Sequence, residues 1–422
     1  MSDSEEVFYR ALSELVSQVD AKITVRKDPT QPYVGLEHIP SRGAHLTGWS
    51  QASSSISTNS IFQAGDVLFG KLRPNLRKCV VAPFNGYCST DILILRSNTG
   101  FDPSFAGKVL RTDQVGGAAE MTSVGTKMPR TSWKNLSELV VFCPGFPEQS
   151  KIAKVLDTLD TAIHETEAII VKLKAVKQGL LHDLLTRGID ADGELRPPQN
   201  EGPHLYKQSP LGWIPKEWDA VTLSACSLKI ADRDHTTPRY IEDGVLIISP
   251  TNLQGDEGID FVSSKRISRR AHEINCKKTD LAPGDIILHR IGAGLGRVRL
   301  VAAEMPEFSI LHSMAQIRPN LNAMTSHFML WAMRSESTKS QMGLGTQSIG
   351  VPDLGLDKIS NFIMPKPPLE EQRQIAARLV ALQTRIDADS NDCTKLATLK
   401  SGLMDDLLTG RVRVTPLLEA AP

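Results

Sequence analysis

The 422-residue sequence has little cysteine, few aromatic residues and no excess of either charge. Its six cysteines are scattered with no C-x-x-C pair, which argues against a zinc ribbon or a disulfide framework. Lys plus Arg and Asp plus Glu are both 48, so net charge neither indicates nor excludes a nucleic-acid partner. The sequence contains no run of the ~18 uncharged apolar residues that a membrane span needs. Because the acidic N-terminus also does not resemble a secretory signal, we expect a cytoplasmic protein.

The common catalytic motifs are also missing. There is no Walker loop, and the ten histidines form no pair at metal-ligand spacing. The stretch GAGLG at 292–296 does not stand between a strand and a long helix, so it predicts a turn rather than a dinucleotide loop. DPSF at 102–105 lacks the second proline of the amino-methyltransferase tetrad and predicts the start of a helix. We therefore expect no catalytic residue and no metal site.

What the sequence does contain is a repeat. Residues 148–186 align without a gap with residues 371–409, and 17 of the 39 aligned positions are identical. In both copies apolar residues recur at alternating spacings of four and three over about five heptads, which is typical of a coiled coil. The sequence thus predicts two long helices that pack as an antiparallel coiled coil with pseudo-twofold symmetry. The predicted interface consists of Ile152, Leu156, Leu159, Ile163, Ile170, Leu173, Leu180, Leu184, Ile375, Leu379, Leu382, Ile386, Leu396, Leu403 and Leu407.

Two kinds of residue interrupt the pattern at matched places. Lys177 and Lys400 occupy seam positions, and we expect their long side chains to extend to solvent. Gly179 and Gly402 lie inside the helices, where glycine costs about 1 kcal/mol relative to alanine. Each is either a tolerated surface glycine or a point where another backbone approaches closely.

A block of about 150 residues precedes each helix, and the two blocks are weakly similar. QAGDVLFGKLRP at 63–74 corresponds to LAPGDIILHRIG at 281–292, with a Gly-Asp turn, a short β-rich run and a basic residue in both. These patterns predict an α/β fold made of two similar α/β domains. The predicted divisions are 1–146 for the first domain, 147–188 for its helix, 189–212 for a linker, 213–366 for the second domain, 367–412 for its helix and 413–422 for a tail.

This organisation resembles the specificity subunit of Type I restriction-modification systems over nearly the whole chain. The resemblance is carried by GFPEQSKIAKVLDTLDTAI, PPLEEQRQIAARLVALQTRID, KSGLMDDLLTGRVRV and the entry motif LGWIPKEWDAVTL. It implies two target recognition domains that each bind one half of a split DNA site, and helices that fix the spacing between them. It also implies two modification (methyltransferase) subunits, which bring S-adenosylmethionine, and restriction (motor-nuclease) subunits. No cofactor is expected on this chain itself.

The residues offer candidates for the DNA contacts, because phosphate binding needs Lys or Arg and base recognition needs Arg, Lys, Asn or Gln. Basic clusters occur at comparable points of the two blocks, in KLRPNLRK and in HRIGAGLGRVR. A single cluster of this kind is usually a solvated face, but two at equivalent positions favour DNA. The candidates are Lys71, Arg73, Arg77, Lys78, Lys127 and Arg130 in the first block, and His235, Thr236, Arg239, Arg269, Arg270, Arg290, Arg297, Arg299 and Gln347 in the second.

The sequence therefore predicts a non-catalytic DNA-recognition subunit. Two other classes stay open at this point. The chain could be a self-contained DNA methyltransferase or nuclease, or a coiled-coil adaptor that binds only proteins.

Overall fold

The computed structural model describes residues 8–23, 28, 30–52, 58–236, 238–345 and 352–419. The chain forms two compact units. Unit 1 consists of Met1–Ile169 and Asp389–Pro422, and unit 2 consists of Ile170–Ala388. Each unit therefore contains part of both long helices. The boundaries of the units differ from those of the predicted domains, which were divided at the ends of the helices.

The elements follow one another in a mixed order of strands and helices. Those before the first long helix are β1 (Tyr9–Ala11), α1 (Leu12–Leu15), β2 (Val16–Gln18), β3 (Lys22–Ile23), β4 (Pro32–Val34), β5 (Ser50–Gln51), β6 (Asn59–Phe62), β7 (Val67–Gly70), β8 (Cys79–Val81), β9 (Gly86–Ser89), β10 (Ile92–Ser97), α2 (Pro103–Leu110), α3 (Asp113–Met121), α4 (Trp133–Leu136) and β11 (Val140–Phe142). The first long helix is α5 (Phe146–Thr186).

The elements after α5 repeat this mixture. They are β12 (Tyr206–Ser209), β13 (Gly212–Pro215), β14 (Asp219–Thr222), β15 (Ser227–Ala231), β16 (Val245–Ile248), β17 (Leu253–Gln254), β18 (Gly258–Ile259), β19 (Lys265–Ile267), α6 (Arg269–Cys276), β20 (Ile286–His289), β21 (Val298–Leu300), β22 (Phe308–Ile310), β23 (Met314–Pro319), α7 (Ser326–Met333), α8 (Glu336–Gly345), α9 (Leu356–Ser360) and β24 (Ile363–Lys366). The second long helix is α10 (Leu369–Leu407), and α11 (Thr415–Glu419) follows it.

The two units have corresponding sheets. Unit 1 contains an antiparallel sheet in the order β2-β10-β7-β8, and unit 2 contains β15-β23-β20-β21 in the same arrangement. The pair β1–β11 corresponds to β14–β24, and the parallel pair β4–β9 corresponds to β16–β22. This agreement confirms the prediction of two similar α/β domains.

The Gly-Asp motif has the same structural role in both units. Gly65 and Gly284 have φ of 90° and 91°, a left-handed conformation that glycine adopts without steric cost. The aspartates that follow are buried and accept two hydrogen bonds from an arginine on the neighbouring strand. Arg96 bonds Asp66 at 2.7 and 2.8 Å, and Arg318 bonds Asp285 at 2.8 and 2.8 Å. In both units, the motif thus forms a turn and supports the strand beside it.

A buried glutamine attaches each long helix to the domain helix beside it. Gln149 Oε1 accepts a hydrogen bond from the backbone N–H of Asp102, and its amide donates to the Pro144 carbonyl at 2.7 Å. In unit 2 Gln372 accepts from Thr325 N–H at 2.9 Å and donates to a proline carbonyl at the same distance. Asp102 also caps α2, bonding the N–H groups of Ser104 and Phe105, which confirms DPSF as a helix start.

Segments of α5 and α10 run antiparallel within each unit. In unit 1 Glu148 bonds Arg413 at 2.5 and 2.8 Å, and Asp160, one third of the way along α5, pairs with Lys400. In unit 2 Lys177 Nζ lies 2.7 Å from Gln383 Oε1. All fifteen predicted interface residues are buried or half-buried.

The expectation that Lys177 and Lys400 extend to solvent is wrong. Lys177 is only 4% exposed, and Lys400 is largely covered and pairs with buried Asp160. Gly179 and Gly402, by contrast, are exposed, and a Cβ added to either would meet nothing within 4 Å. Within each unit they are therefore surface glycines rather than points of close approach.

Much of the predicted linker is ordered. It contains β12 and the start of β13, which form an antiparallel hairpin. Arg196 bonds Glu371 at 2.5 Å, and the indole N–H of Trp218 donates to the same carboxylate at 3.0 Å. Ile189 N–H completes this set with a 2.9 Å bond to Glu371. The polar composition of the segment suggested a linker, but its residues complete the packing around the start of α10.

Candidate nucleic-acid interface

The segment between β7 and β8 in unit 1 holds two arginines with an unusual backbone conformation, and a third such arginine is bonded to it. Arg73 and Arg77 have φ of 53° and 52°, and Arg42, whose N–H bonds the Arg77 carbonyl at 3.1 Å, has φ of 57°. Among the described residues these are the non-glycine residues with positive φ. A strained backbone conformation persists only where the surrounding structure holds it in place, and such conformations are concentrated at functional sites.

The cations of this segment differ in how far the protein already uses them. Arg77 is mostly covered and lies 3.2 Å from Glu120, while Lys78 donates to the Leu36 carbonyl at 2.5 Å. Arg73 is exposed and Lys71 is half-buried, and neither side chain bonds another described residue. Lys71 and Arg73 are therefore the members of the cluster that remain available to an external ligand.

A second loop, residues 121–131, is fixed beside this segment. Arg73 N–H donates to the Pro129 carbonyl at 2.8 Å, and Thr131 N–H donates to the Lys71 carbonyl at 3.0 Å. The Lys127 side chain on this loop is exposed and has no bonded partner among the described residues. Arg130 instead bonds Asp91 at 3.0 and 3.4 Å. The backbone contacts thus place a third available cation, Lys127, on a loop that is bonded to the segment carrying the first two.

The same loop exposes apolar side chains. Met121 is 85% exposed, Val124 76% and Met128 48%. The loop that carries them is held in place, because Val124 and Arg130 exchange backbone hydrogen bonds of 2.9 and 3.0 Å. Exposed apolar groups beside unpaired cations suit a surface that contacts both the sugar-phosphate backbone and the thymine methyl groups of DNA.

Unit 2 has the same backbone at the equivalent place but different side-chain roles. Gly292 N–H bonds the Pro352 carbonyl at 2.9 Å and Leu354 N–H bonds the Arg290 carbonyl at 2.9 Å, matching the bonds of Arg73 and Thr131. Arg290 is 5% exposed, and its guanidinium bonds the Leu354 and His312 carbonyls and lies 3.3 Å from Asp232 and from Asp353.

Arg297 and Arg299 are also committed to the protein. Arg297 donates to the carbonyls of Leu253 and Pro250, both at 3.0 Å. Arg299 is 2% exposed and donates to the carbonyls of Gly258 and Gly255, and burial lowers its pKa to about 10. The expectation of two equivalent exposed clusters is therefore corrected: the unit 2 cluster stabilises loops, because its donors are directed at backbone carbonyls.

The other unit 2 candidates are more accessible. His235, Thr236 and Arg239 are exposed on the loop after β15, where the His235 ring centroid lies 4.9 Å from that of His312. Arg270 is exposed on α6 without a bonded partner among the described residues. Its neighbour Arg269 bonds Glu307 at 2.6 Å. Gln347 lies outside the described residues.

Comparison with known proteins gives consistent matches. Residues 244–396 match the family of the Type I restriction modification DNA specificity domain. The chain is 23% identical over 301 residues to the Type I restriction enzyme MjaVIII specificity subunit of Methanocaldococcus jannaschii, covering 69% of this chain and 67% of that protein. It is 24% identical over 362 residues to the putative type I restriction enzyme MjaX specificity subunit of the same organism, covering 83% and 79%. These matches show that the chain is similar to Type I specificity subunits.

A solved structure shares the fold of this chain. The S subunit of a Type-I restriction-modification system from M. genitalium superposes with a TM-score of 0.61 at 16% identity, covering 95% of both chains. At that identity the likeness shows the shared fold alone.

One residue with an unusual environment was missed by sequence reasoning. Arg233 lies in the stretch DRDHTTPRY, where it stands between two aspartates and suggests a neutralised pair. In the structure it is 5% exposed and forms no ion pair with another described residue, because Asp232 pairs with Arg290 and Asp234 with Lys278. Only the three-dimensional pairing of these two aspartates reveals the uncompensated arginine.

Two absences hold for the described part of the chain. No helix there is long and apolar enough to cross a membrane. No group of three or more His, Cys, Asp or Glu residues there is arranged to hold a metal ion.

Proposed function

We propose that this chain recognises a bipartite DNA site, with unit 1 binding one half-site and unit 2 binding the other. The observation that carries the proposal is the repetition of one scaffold with different side chains at equivalent positions. Lys71 and Arg73 of unit 1 correspond to buried Arg290 and to Gly292 of unit 2. A protein that recognises two different half-sites needs a common frame and two distinct surfaces.

In unit 1 the proposed contact surface is the 71–73 segment together with loop 121–131. Lys71, Arg73 and Lys127 would supply phosphate or guanine contacts, and Met128 with Val124 would contact base methyl groups. In unit 2 the surface is the loop after β15 with α6, where His235, Thr236, Arg239 and Arg270 are exposed. Both surfaces lie beside regular sheets, which hold their loops in fixed positions.

The finer parts of the proposal follow the names of the relatives. The relatives are specificity subunits of restriction enzymes, so we place this chain in a cytoplasmic complex with two modification subunits and with restriction subunits. In this complex the modification subunits bind S-adenosylmethionine and carry out the methylation. This chain is then a non-catalytic subunit that directs them to the site.

The test is a genome-wide map of methylated adenines in cells with and without this chain, with the modification subunit present in both. A bipartite motif that disappears on deletion supports the proposal and identifies both half-sites. An unchanged map contradicts it. Methylation of DNA by the purified chain alone would instead support a self-contained methyltransferase.

A further inference from the structure

A cavity of about 200 Å³ lies in unit 2 between the loop after β15 and helix α6. Its polar lining consists of Arg233, Thr236, Asn275 and Lys278, together with the Asp234 carboxylate, and Pro238 and Ile274 add apolar surface. The loop carries three of the exposed candidates described above, so the cavity adjoins the proposed DNA surface of unit 2.

Arg233, which lines this cavity, has two side-chain donors without an acceptor among the described residues. Its Nη2 donates to the Thr236 carbonyl at 2.9 Å, but its Nε and Nη1 are buried without a partner. Among the described residues, Arg233 is the one with two such buried side-chain atoms. Burial without an acceptor is unfavourable for a group that is always charged, and native proteins rarely tolerate it except where a ligand or a functional role compensates.

The charges around the cavity do not cancel. The Lys278 ammonium lies 2.5 Å from the Asp234 carboxylate, so these two neutralise each other. Arg233 has no carboxylate partner among the described residues. One positive charge therefore remains at the cavity, and burial lowers the pKa of Arg233, as expected for a cation without a counter-ion.

We propose that this cavity binds a phosphate oxyanion and that its source is a backbone phosphate of the DNA bound by unit 2. The polar lining is dominated by donors, since Arg233 and Lys278 have no acceptor atoms, and a ligand made only of acceptors fits it best. The inference rests on the proposed function and adds to it a particular phosphate site. A free phosphate ion has the same chemistry and is the alternative source.

The experiment uses the full chain in its complex with the modification subunits and a duplex that carries both half-sites. Arg233→Gln removes the charge, Arg233→Lys retains it, and Lys216→Gln removes an exposed charge elsewhere in unit 2 as the control. We expect Arg233→Gln to weaken binding by about 10- to 100-fold. We also expect the slope of log K against log salt to become shallower by about 0.9, whereas Arg233→Lys retains the slope and Lys216→Gln changes neither quantity.

Duplexes with one neutral methylphosphonate at a time locate the contact. At the contacted position the neutral linkage should weaken DNA binding by the unmodified protein as much as the substitution Arg233→Gln does. The same linkage should cause no further loss of binding in the Arg233→Gln variant. If Arg233→Gln binds with unchanged affinity and slope, the inference is wrong while the proposed function stands. If the unmodified complex does not bind DNA at all, the proposed function fails.

Free phosphate is tested separately. Inorganic phosphate that raises the Tm of the unmodified protein but not of Arg233→Gln, without any methylphosphonate coupling, would overturn DNA as the source. If Arg233→Gln does not fold, the methylphosphonate scan is carried out with the unmodified protein and Arg233→Lys. If Arg233 contacts the phosphate, the loss of affinity caused by the neutral linkage at that position should be smaller in the lysine variant or should move to another position.

Discussion

At the scale of single residues, the decisive property of each cation is whether the protein already uses it. Arg73 and Arg290 come from the same motif and differ completely. The side chain of Arg73 is exposed and has no partner among the described residues, whereas Arg290 is 5% exposed and has backbone and carboxylate partners. Asp160 is the opposite of Arg73, because it is a buried carboxylate that several cations surround.

Arg73→Gln and Arg290→Gln should separate binding from stability. Arg73→Gln is expected to weaken DNA binding and to leave the free energy of unfolding within about 0.5 kcal/mol of the original value, as for most surface changes. Arg290→Gln should destabilise the chain by about 3–5 kcal/mol, because it leaves two carboxylates without their cation. Urea unfolding and DNA titrations check the pair, and the reverse pattern would contradict the assignment.

Asp160→Asn should be strongly destabilising. Asp160 is 4% exposed and lies 2.5 Å from Lys108, 3.3 Å from Arg111 and beside Lys400. Removing its charge leaves buried cations uncompensated, at a cost of about 3–5 kcal/mol. Asp157→Asn is the control, since Asp157 is 49% exposed and also pairs with Lys108. Equal losses in the two variants would show that burial does not matter here.

The same carboxylate should make stability depend on acidity. Burial tends to raise the pKa of Asp160, but the charge of Arg111 and the hydrogen bonds from Lys108 and Lys400 outweigh it and lower the pKa to about 2. Because the unfolded value is 3.8, the stabilisation is present above about pH 4 and is lost as the pH falls toward 2. Urea unfolding between pH 5 and pH 2.5 should show this loss of stability. In Asp160→Asn the part of the pH dependence that is due to this carboxylate should be absent.

At the scale of elements, the two long helices carry matched but chemically different polar layers. In unit 1 Lys400 meets the carboxylate of Asp160 on the other helix. In unit 2 Lys177 meets the amide of Gln383 on the other helix and also lies 3.4 Å from the carboxylate of Asp256. Each lysine reaches its partner on the other helix at one place along the antiparallel segment, so a shift in register would break that contact. The polar interruptions of the seam therefore help to define the register.

Gly179→Ala and Gly402→Ala should each stabilise the isolated chain by about 1 kcal/mol, because an exposed helical glycine gains helix propensity and the new methyl group meets nothing. Thermal unfolding of the two variants measures this gain. A loss of stability would show that another backbone approaches these positions. If the stability of the chain is unchanged but binding to the modification subunits is lost, a backbone of those subunits approaches the glycine in the complex.

At the scale of the whole molecule, the proposed division of labour predicts a one-sided effect. Combining Lys71→Gln, Arg73→Gln and Lys127→Gln changes only unit 1, so the methylation map should lose or relax one half of the bipartite motif and retain the other. The matched control is Lys134→Gln, an exposed lysine of unit 1 outside the proposed surface. Relaxation of both halves together would contradict the assignment of one half-site to each unit.

The amino-acid sequence alone predicted the repeat, the two long helices and the duplicated α/β domains. These features rest on local periodicity, on turn residues such as Gly65 and Gly284, and on a stretch of 39 residues that appears twice with 17 identical positions. Such signals depend on neighbours in the chain, which the sequence displays directly.

Which charged side chains are available to a ligand depends on the folded arrangement of the chain. Burial of Arg290 and Arg299, the polar contacts of Lys177 and Lys400, the order within 189–212 and the uncompensated Arg233 all depend on residues distant in sequence. A basic cluster has the same letters whether its donors point at solvent or at carbonyls, because the acceptors come from other strands and loops. The sequence therefore predicted the frame of this protein, and the folded chain determined which parts of its surface can bind DNA.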